Sequence, residues 1–113
     1  MTAPSRGEVW LADLDPTRAN EQAGRRPVLI VSDDVFNHGP AGLVIVLPIT
    51  STLRKIRSHV HIPAPEGGLR NDSAVLCEAI RSVSKTRLSA RWGSVSEATL
   101  AQIEDILRIL LKI

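Results

Sequence analysis

Apolar positions change their rhythm once along this chain. Up to about residue 94 they come in short runs broken by Gly, Pro and polar clusters. Beyond it they recur with helical spacing. Residues 8–14 have apolar side chains on both faces and read as a first strand, closed by a turn at Asp15-Pro16-Thr17. Residues 17–26 are polar and without period, so they read as a loop. Pro27 then opens a strand over 28–32, where its missing N–H does least harm. A short helical turn is predicted over 33–37 and a loop over His38-Gly39-Pro40-Ala41-Gly42. The near-continuous apolar run 43–49 reads as a buried strand. Residues 50–58 form a second, basic loop with Arg54, Lys55 and Arg57. Further strands are predicted over 59–62, 73–78, 80–83 and 91–94, with a turn region around Gly67-Gly68.

At the C-terminal end Leu100, Ile103, Ile106, Leu107, Leu110 and Leu111 fall on one side of a helix, and Ile109 and Ile113 widen that face. Ser94 with Glu97 fits a capping box, and Ser96 fits an N-cap equally well. Short strands followed by one helix predict a mainly β fold, a compact β-barrel with a helix packed on it. At 113 residues the expectation is one domain, 1–113, with a modest core of its own.

Composition narrows the function. Hydrophobic residues make up 43% and charged residues 23%, values that argue against wholesale disorder. The aromatic share of 3% (Trp10, Phe36 and Trp92) disfavours RNA binding on several aromatic platforms. An RNA ligand would have to be held by Arg, backbone and small polar groups. The net charge of +2 is too small for non-specific DNA coating but leaves room for a local basic groove, mostly of Arg. Cys77 is the only cysteine, so no internal disulfide and no cysteine zinc site is expected. The polar N-terminal residues lack a signal-peptide hydrophobic region, and no apolar run nears the ~20 residues needed to span a bilayer. The expected compartment is the cytoplasm, with no membrane partner.

Two patches suit phosphoryl chemistry. One is Asn20-Glu21-Gln22-Ala23-Gly24-Arg25-Arg26-Pro27, at a loop-to-strand junction. The other is Pro48-Ile49-Thr50-Ser51, where a buried strand emerges into the basic loop. If the two strands are neighbours, Arg26 and Thr50 converge at one rim. A guanidinium can neutralise the charge that builds on a pentacoordinate phosphorus, and a hydroxyl can fix one phosphate oxygen. Glu78 offers a proton acceptor. Each residue also has an ordinary reading: a surface salt bridge for Arg26, a turn cap for Thr50, a solvated or paired carboxylate for Glu78.

The order of motifs resembles a known family. Arg6-Gly7-Glu8-Val9-Trp10-Leu11-Ala12-Asp13-Leu14-Asp15-Pro16-Thr17 is similar to its opening strand. Asn20-Glu21-Gln22 and Gly24-Arg25-Arg26-Pro27-Val28-Leu29-Ile30-Val31 are similar to its catalytic loop and second strand, and Pro48-Ile49-Thr50-Ser51 to its threonine segment. Asp72-Ser73-Ala74-Val75-Leu76-Cys77-Glu78, Ile80-Arg81-Ser82-Val83 and Lys85-Thr86-Arg87-Leu88 resemble its later block. The family is the MazF/PemK toxins of toxin–antitoxin modules, and the resemblance runs from about Arg6 into the final helix.

That resemblance implies an SH3-like barrel with a C-terminal helix, a homodimer, and metal-independent, sequence-specific cleavage of single-stranded RNA such as mRNA. The 2′-hydroxyl attacks the adjacent phosphate and leaves 2′,3′-cyclic phosphate and 5′-hydroxyl ends, with no cofactor. The catalytic positions fall on Arg26, Thr50 and Glu78. The RNA-contacting positions fall on Asn20, Glu21, Gln22, Arg25, Ser51, Arg54 and Arg81. The implied protein partner is a MazE-like antitoxin whose disordered acidic tail competes for the Arg-lined surface. Two positions depart from the pattern. Leu76 stands where some plasmid members have Arg, and Ala79 where many have Gln. Charge stabilisation is therefore assigned to Arg26 in preference to proton donation, for which a guanidinium holds its proton too tightly.

His59 and His61 alternate along a strand and share a face; without a third ligand they read as half-exposed strand histidines. Cys77 reads as inert strand core, and Trp10 as core. Three rival readings exist: a non-enzymatic CcdB-like toxin acting on gyrase, a plain SH3-like binding module, and a barrel that only binds antitoxin. An RNA-cleavage assay separates them from the nuclease.

Overall fold

The computed structural model describes residues 3–14 and 24–113. Among the described residues seven strands and two helices follow in the order β1 (Glu8–Asp13), β2 (Arg25–Ile30), α1 (Asp34–Asn37), β3 (Leu43–Thr50), β4 (His59–Ile62), β5 (Ser73–Leu76), β6 (Arg81–Ser84), β7 (Leu88–Ser94) and α2 (Glu97–Leu111). All pairings are antiparallel. The strands run β4-β5-β3-β2-β1-β7, with β6 joined to β3. The mainly β class with a C-terminal helix holds, but the strand path does not close on itself.

Strand β3 organises the sheet because its two halves have different neighbours. Residues Leu43 to Val46 pair with β6, and Ile49 and Thr50 pair with β5. On the other edge β2 pairs only at Val28, Leu29 and Ile30, opposite Pro48, Leu47 and Val46. Beyond Val28 the two strands part. Alternate residues of these strands feed two apolar clusters, one on each face. Val9, Leu29, Leu47, Ile49, Val60, Ile62 and Val75 pack with Ile103 of α2. Trp10, Ala12, Val28, Ile30, Val44, Val46 and Leu88 fill the other face. A β3 buried on both faces accounts for its near-continuous apolar run.

Several expected boundaries move. Arg25 and Arg26, read as loop, lie in β2 opposite Asp13 and Ala12 of β1, and Pro27 stands inside that strand opposite Leu11. Three non-apolar residues are tolerated because this stretch pairs with β1 alone. The strand expected over 73–78 stops at Leu76. Cys77–Ala79 turns as a 3-10 segment, so buried Cys77 is core but not strand. The last strand begins three residues earlier than expected, at Leu88.

Ser96 caps α2, its Oγ accepting from the Thr99 N–H at 3.1 Å, while Ser94 stays in β7. The glutamate that completes a capping box comes from a distant turn. Glu66 accepts from the Ser96 N–H at 3.0 Å and from the Thr99 hydroxyl at 2.7 Å. Glu66 opens a short 3-10 turn, Glu66–Gly68, laid against β7. Gly68, at φ 75°, comes so close that a Cβ there would stand 2.1 Å from the carbonyl oxygen of Trp92. A Cβ on Gly93 would stand 2.7 Å from the carbonyl carbon of Gly67. Only glycines permit this contact, and Leu69, Arg70 and Asn71, next along the chain, line one cleft with Trp92. Among the described residues no helix is long and apolar enough to cross a membrane.

Candidate active site

The place where β2 and β3 part is lined by polar groups. Carrying the Val28–Pro48 register on by two residues sets Arg26 across from Thr50, with both side chains on one face. Each residue is held from its outer edge, Arg26 by Ala12 of β1 and Thr50 by Ala74 of β5. Two clefts, of about 380 and 430 Å³, meet here and share Arg26, Ile49, Thr50 and Thr52.

The smaller cleft adds Arg54, Ile56, His59, Leu76 and Glu78. Arg26, Thr50 and Glu78, distant in sequence, therefore line one cleft. The Thr50 hydroxyl does cap a turn, accepting from the Thr52 N–H at 3.1 Å. An oxygen that accepts this bond still has its own hydrogen to donate. Arg26 forms no ion pair among the described residues, so the salt-bridge reading finds no partner there.

Glu78 is anchored twice. Ser58 Oγ donates to Oε1 at 2.5 Å, and His59 Nε2 lies 2.9 Å from Oε2. Burial pushes the Glu78 pKa up, but the Ser58 hydroxyl, its own backbone N–H and His59 outweigh burial and hold the carboxyl below its ordinary range. A carboxylate only accepts, so Nε2 is the ring nitrogen that donates. Nδ1 is left buried and without a partner among the described residues. The expectation of two half-exposed histidines fails for His59: its side chain is only 5% exposed, because β4 seats it behind Glu78. His61 is exposed and its Nε2 lies 3.2 Å from the Arg54 carbonyl oxygen. Among the described residues no group of three or more His, Cys, Asp or Glu is placed to hold a metal ion.

This balance is directly measurable. In Ser58→Ala the larger lowering contact is gone, so the Glu78 carboxyl should titrate at higher pH, read by carboxylate NMR. The depressed pKa contributes stability above the unfolded carboxylate range, and that stability is lost as pH falls through the folded value. The variant gives up part of it, so its disadvantage against the parent is largest near neutral pH and vanishes in strong acid. An unmoved titration would mean that Ser58 does not hold Glu78 in solution.

The larger cleft adds Arg25, Ser51, Arg70, Asn71, Ser73 and Trp92. Arg25 and Ser51 thus flank the Arg26–Thr50 pair, on the side away from Glu78. Arg54 also lines a neighbouring basic recess with Lys55, Arg57, His59 and His61. Arg81 stands on β6 opposite Val46 and lines neither cleft. Asn20, Glu21 and Gln22 lie outside the described residues. Sequence reasoning passed over Arg70, Asn71 and Trp92, which come together only through the glycine contact between the Glu66–Gly68 turn and β7.

Comparison with known proteins gives a consistent picture. Residues 5–111 match the family described as PemK-like, MazF-like toxin of type II toxin-antitoxin system. The chain is 38% identical over 109 residues to the endoribonuclease MazF9 of Mycobacterium tuberculosis, covering 92% of each chain. It is 34% identical over 107 residues to the endoribonuclease EndoA of Bacillus subtilis, covering 94% of this chain and 92% of the relative. A solved endoribonuclease from a mycobacterial species, in complex with its cognate antitoxin, superposes with a TM-score of 0.83 at 29% identity. That superposition covers 98% of this chain and 97% of the other.

Proposed function

The chain belongs to the PemK-like, MazF-like toxins of type II toxin–antitoxin systems, and from that membership and the parting of β2 and β3 we infer that it is a metal-independent endoribonuclease for single-stranded RNA. The observation that carries this reading is the convergence of Arg26, Thr50 and Glu78 on one cleft. The scissile phosphate sits between Arg26 and Thr50. The guanidinium offsets charge building on the non-bridging oxygens, and the Thr50 hydroxyl holds one of them. Glu78, kept ionised, takes the proton of the 2′-hydroxyl as that oxygen bonds to phosphorus. The bond from phosphorus to the 5′-oxygen breaks, and that oxygen takes up a proton from solvent water. The products are a 2′,3′-cyclic phosphate and a 5′-hydroxyl. His59 and Ser58 hold the carboxylate in place.

Arg25, Ser51 and Arg54 flank the phosphate track, and Asn20, Glu21 and Gln22 are assigned to RNA contact by the family resemblance alone. The setting is cytoplasmic, the partner an antitoxin. Its acidic tail lies on the same guanidinium-lined surface and competes with RNA. The catalytic unit is a homodimer. Ile109, Leu110, Leu111 and Ile113 at the end of α2 are left exposed, an apolar surplus that a second copy would cover. The relatives are named endoribonucleases, so gyrase-directed action gains no support from them.

Purified protein with a long unstructured RNA in excess chelator should cut it, and should leave a 2′-O-methylated RNA intact. A requirement for added divalent metal would overturn the metal-free reaction. Cleavage of the methylated RNA would overturn attack by the 2′-oxygen.

A further inference from the structure

The far part of the second cleft, beyond Arg26 and Thr50, has no role in the chemistry above. The cleft shares the Arg26–Thr50 pair but holds none of the groups that handle the proton. Its far wall is Trp92, on β7. Of the other two aromatics, Trp10 is buried in the core and Phe36 lies on α1 by a different recess. Trp92 is 37% exposed and lines the cleft, so part of the residue is open to water there. Beside it stand Arg70 and Asn71, exposed and with no side-chain hydrogen bond or ion pair among the described residues. The wall is fixed by backbone. Gly67 and Gly68 lie directly on Trp92 and Gly93, and Arg70 and Asn71 follow two and three residues after that contact. The volume, about 430 Å³, falls within the range of small-ligand sites.

A part-exposed indole, flanked by a guanidinium and an amide that have no side-chain partner among the described residues, suits an unstacked base. The ring stacks and the polar groups meet its edge. Polarity along the strand follows from the chemistry, and here the argument rests on the nuclease reading. The 2′-hydroxyl belongs to the nucleotide before the scissile phosphate and must face Glu78, in the first cleft. The nucleotide bearing the leaving 5′-oxygen therefore lies across the Arg26–Thr50 pair, in the second. We propose that the recess between Trp92, Arg70 and Asn71 is the subsite for the base that follows the scissile phosphate, with Trp92 the stacking surface and Arg70 and Asn71 the groups that discriminate among bases.

The test uses the full chain and oligoribonucleotides carrying a cleavage site mapped on the long RNA. Each is 2′-O-methylated at the scissile nucleotide so that it binds without being cut. The intact oligonucleotide should quench indole emission in the parent but not in Trp92→Ala, since Trp10 is enclosed. An oligonucleotide abasic at the following position should bind about 5- to 150-fold more weakly, the range expected for one base–aromatic stack. Trp92→Ala should weaken the intact oligonucleotide by a similar factor and leave the abasic one unchanged, and Trp92→Phe should restore most of the loss. Equal affinity for intact and abasic oligonucleotides overturns the subsite. So does a Trp92→Ala variant that weakens both alike. Cleavage of the long RNA with an insensitive following base sinks the subsite alone. No cleavage at all sinks the nuclease reading and the subsite with it.

Discussion

Arg26→Ala should lower RNA cleavage by ~10²–10³-fold while the protein stays folded. The size of the effect follows from the placement. Arg26 is half-buried on β2, forms no ion pair among the described residues, and lines both clefts. Its removal strips charge from the phosphate site without leaving a buried partner unpaired, so the fold loses little. Arg26→Lys should recover only part of the rate, because a point charge replaces a planar fork that meets two oxygens. Single-turnover cleavage, with circular dichroism and a thermal melt on the same samples, measures both quantities. An unfolded Arg26→Ala variant would make the residue structural, and an unimpaired one would remove it from the reaction.

The largest effect on stability is expected at Gly68. A Cβ there meets the Trp92 carbonyl oxygen at 2.1 Å, and backbone cannot swing aside as a flexible side chain can. The residue also sits at φ 75°, a region L-residues enter at a cost. Gly68→Ala should therefore destabilise the protein by at least ~2 kcal/mol, which lowers Tm by roughly 8 °C or more. Gly42 is the control. Its φ is 74°, but a Cβ there would meet nothing within 4 Å. Gly42→Ala should cost only the conformational part, ~1–2 kcal/mol. Equal melting temperatures for the two variants would show that the turn does not rest on β7 in solution.

Much of the strand pattern could be read from residue types, and the reasons are local. The run 59–62 alternates cleanly and proved to be β4 at the same bounds. The run 43–49 is apolar throughout because β3 is covered on both faces. Reading failed where pairing is one-sided. Arg25-Arg26-Pro27 looks like loop because a strand flanking an open cleft tolerates charge and proline. The helix cap was ambiguous since Ser94 and Ser96 are both plausible. Glu66, which settles the choice, lies 30 residues away.

The candidate site divides in the same way. Motif order singles out Arg26, Thr50 and Glu78, and the three line one cleft. The hold of His59 and Ser58 on Glu78 could not be read that way, since it depends on the register of β4 against β5. Trp92 was counted only as scarcity of aromatics. Its neighbours Arg70 and Asn71 come from a turn whose seat is decided by two glycine φ angles. Nothing in the local pattern of β7 points to them.

The divided loyalty of β3 has a bearing on how such a protein can diverge. Its residues answer to β6 at one end, β5 at the other and β2 between. A slip of one position would turn Thr50 to the opposite face and spoil three ladders together. The connections on either side carry no such burden, so residues there can be exchanged, lengthened or recharged. Inheritance is thus rigid where the phosphodiester is gripped and permissive in the basic loop that follows Thr50, and one scaffold can acquire new contacts along the strand while its cutting chemistry stays the same.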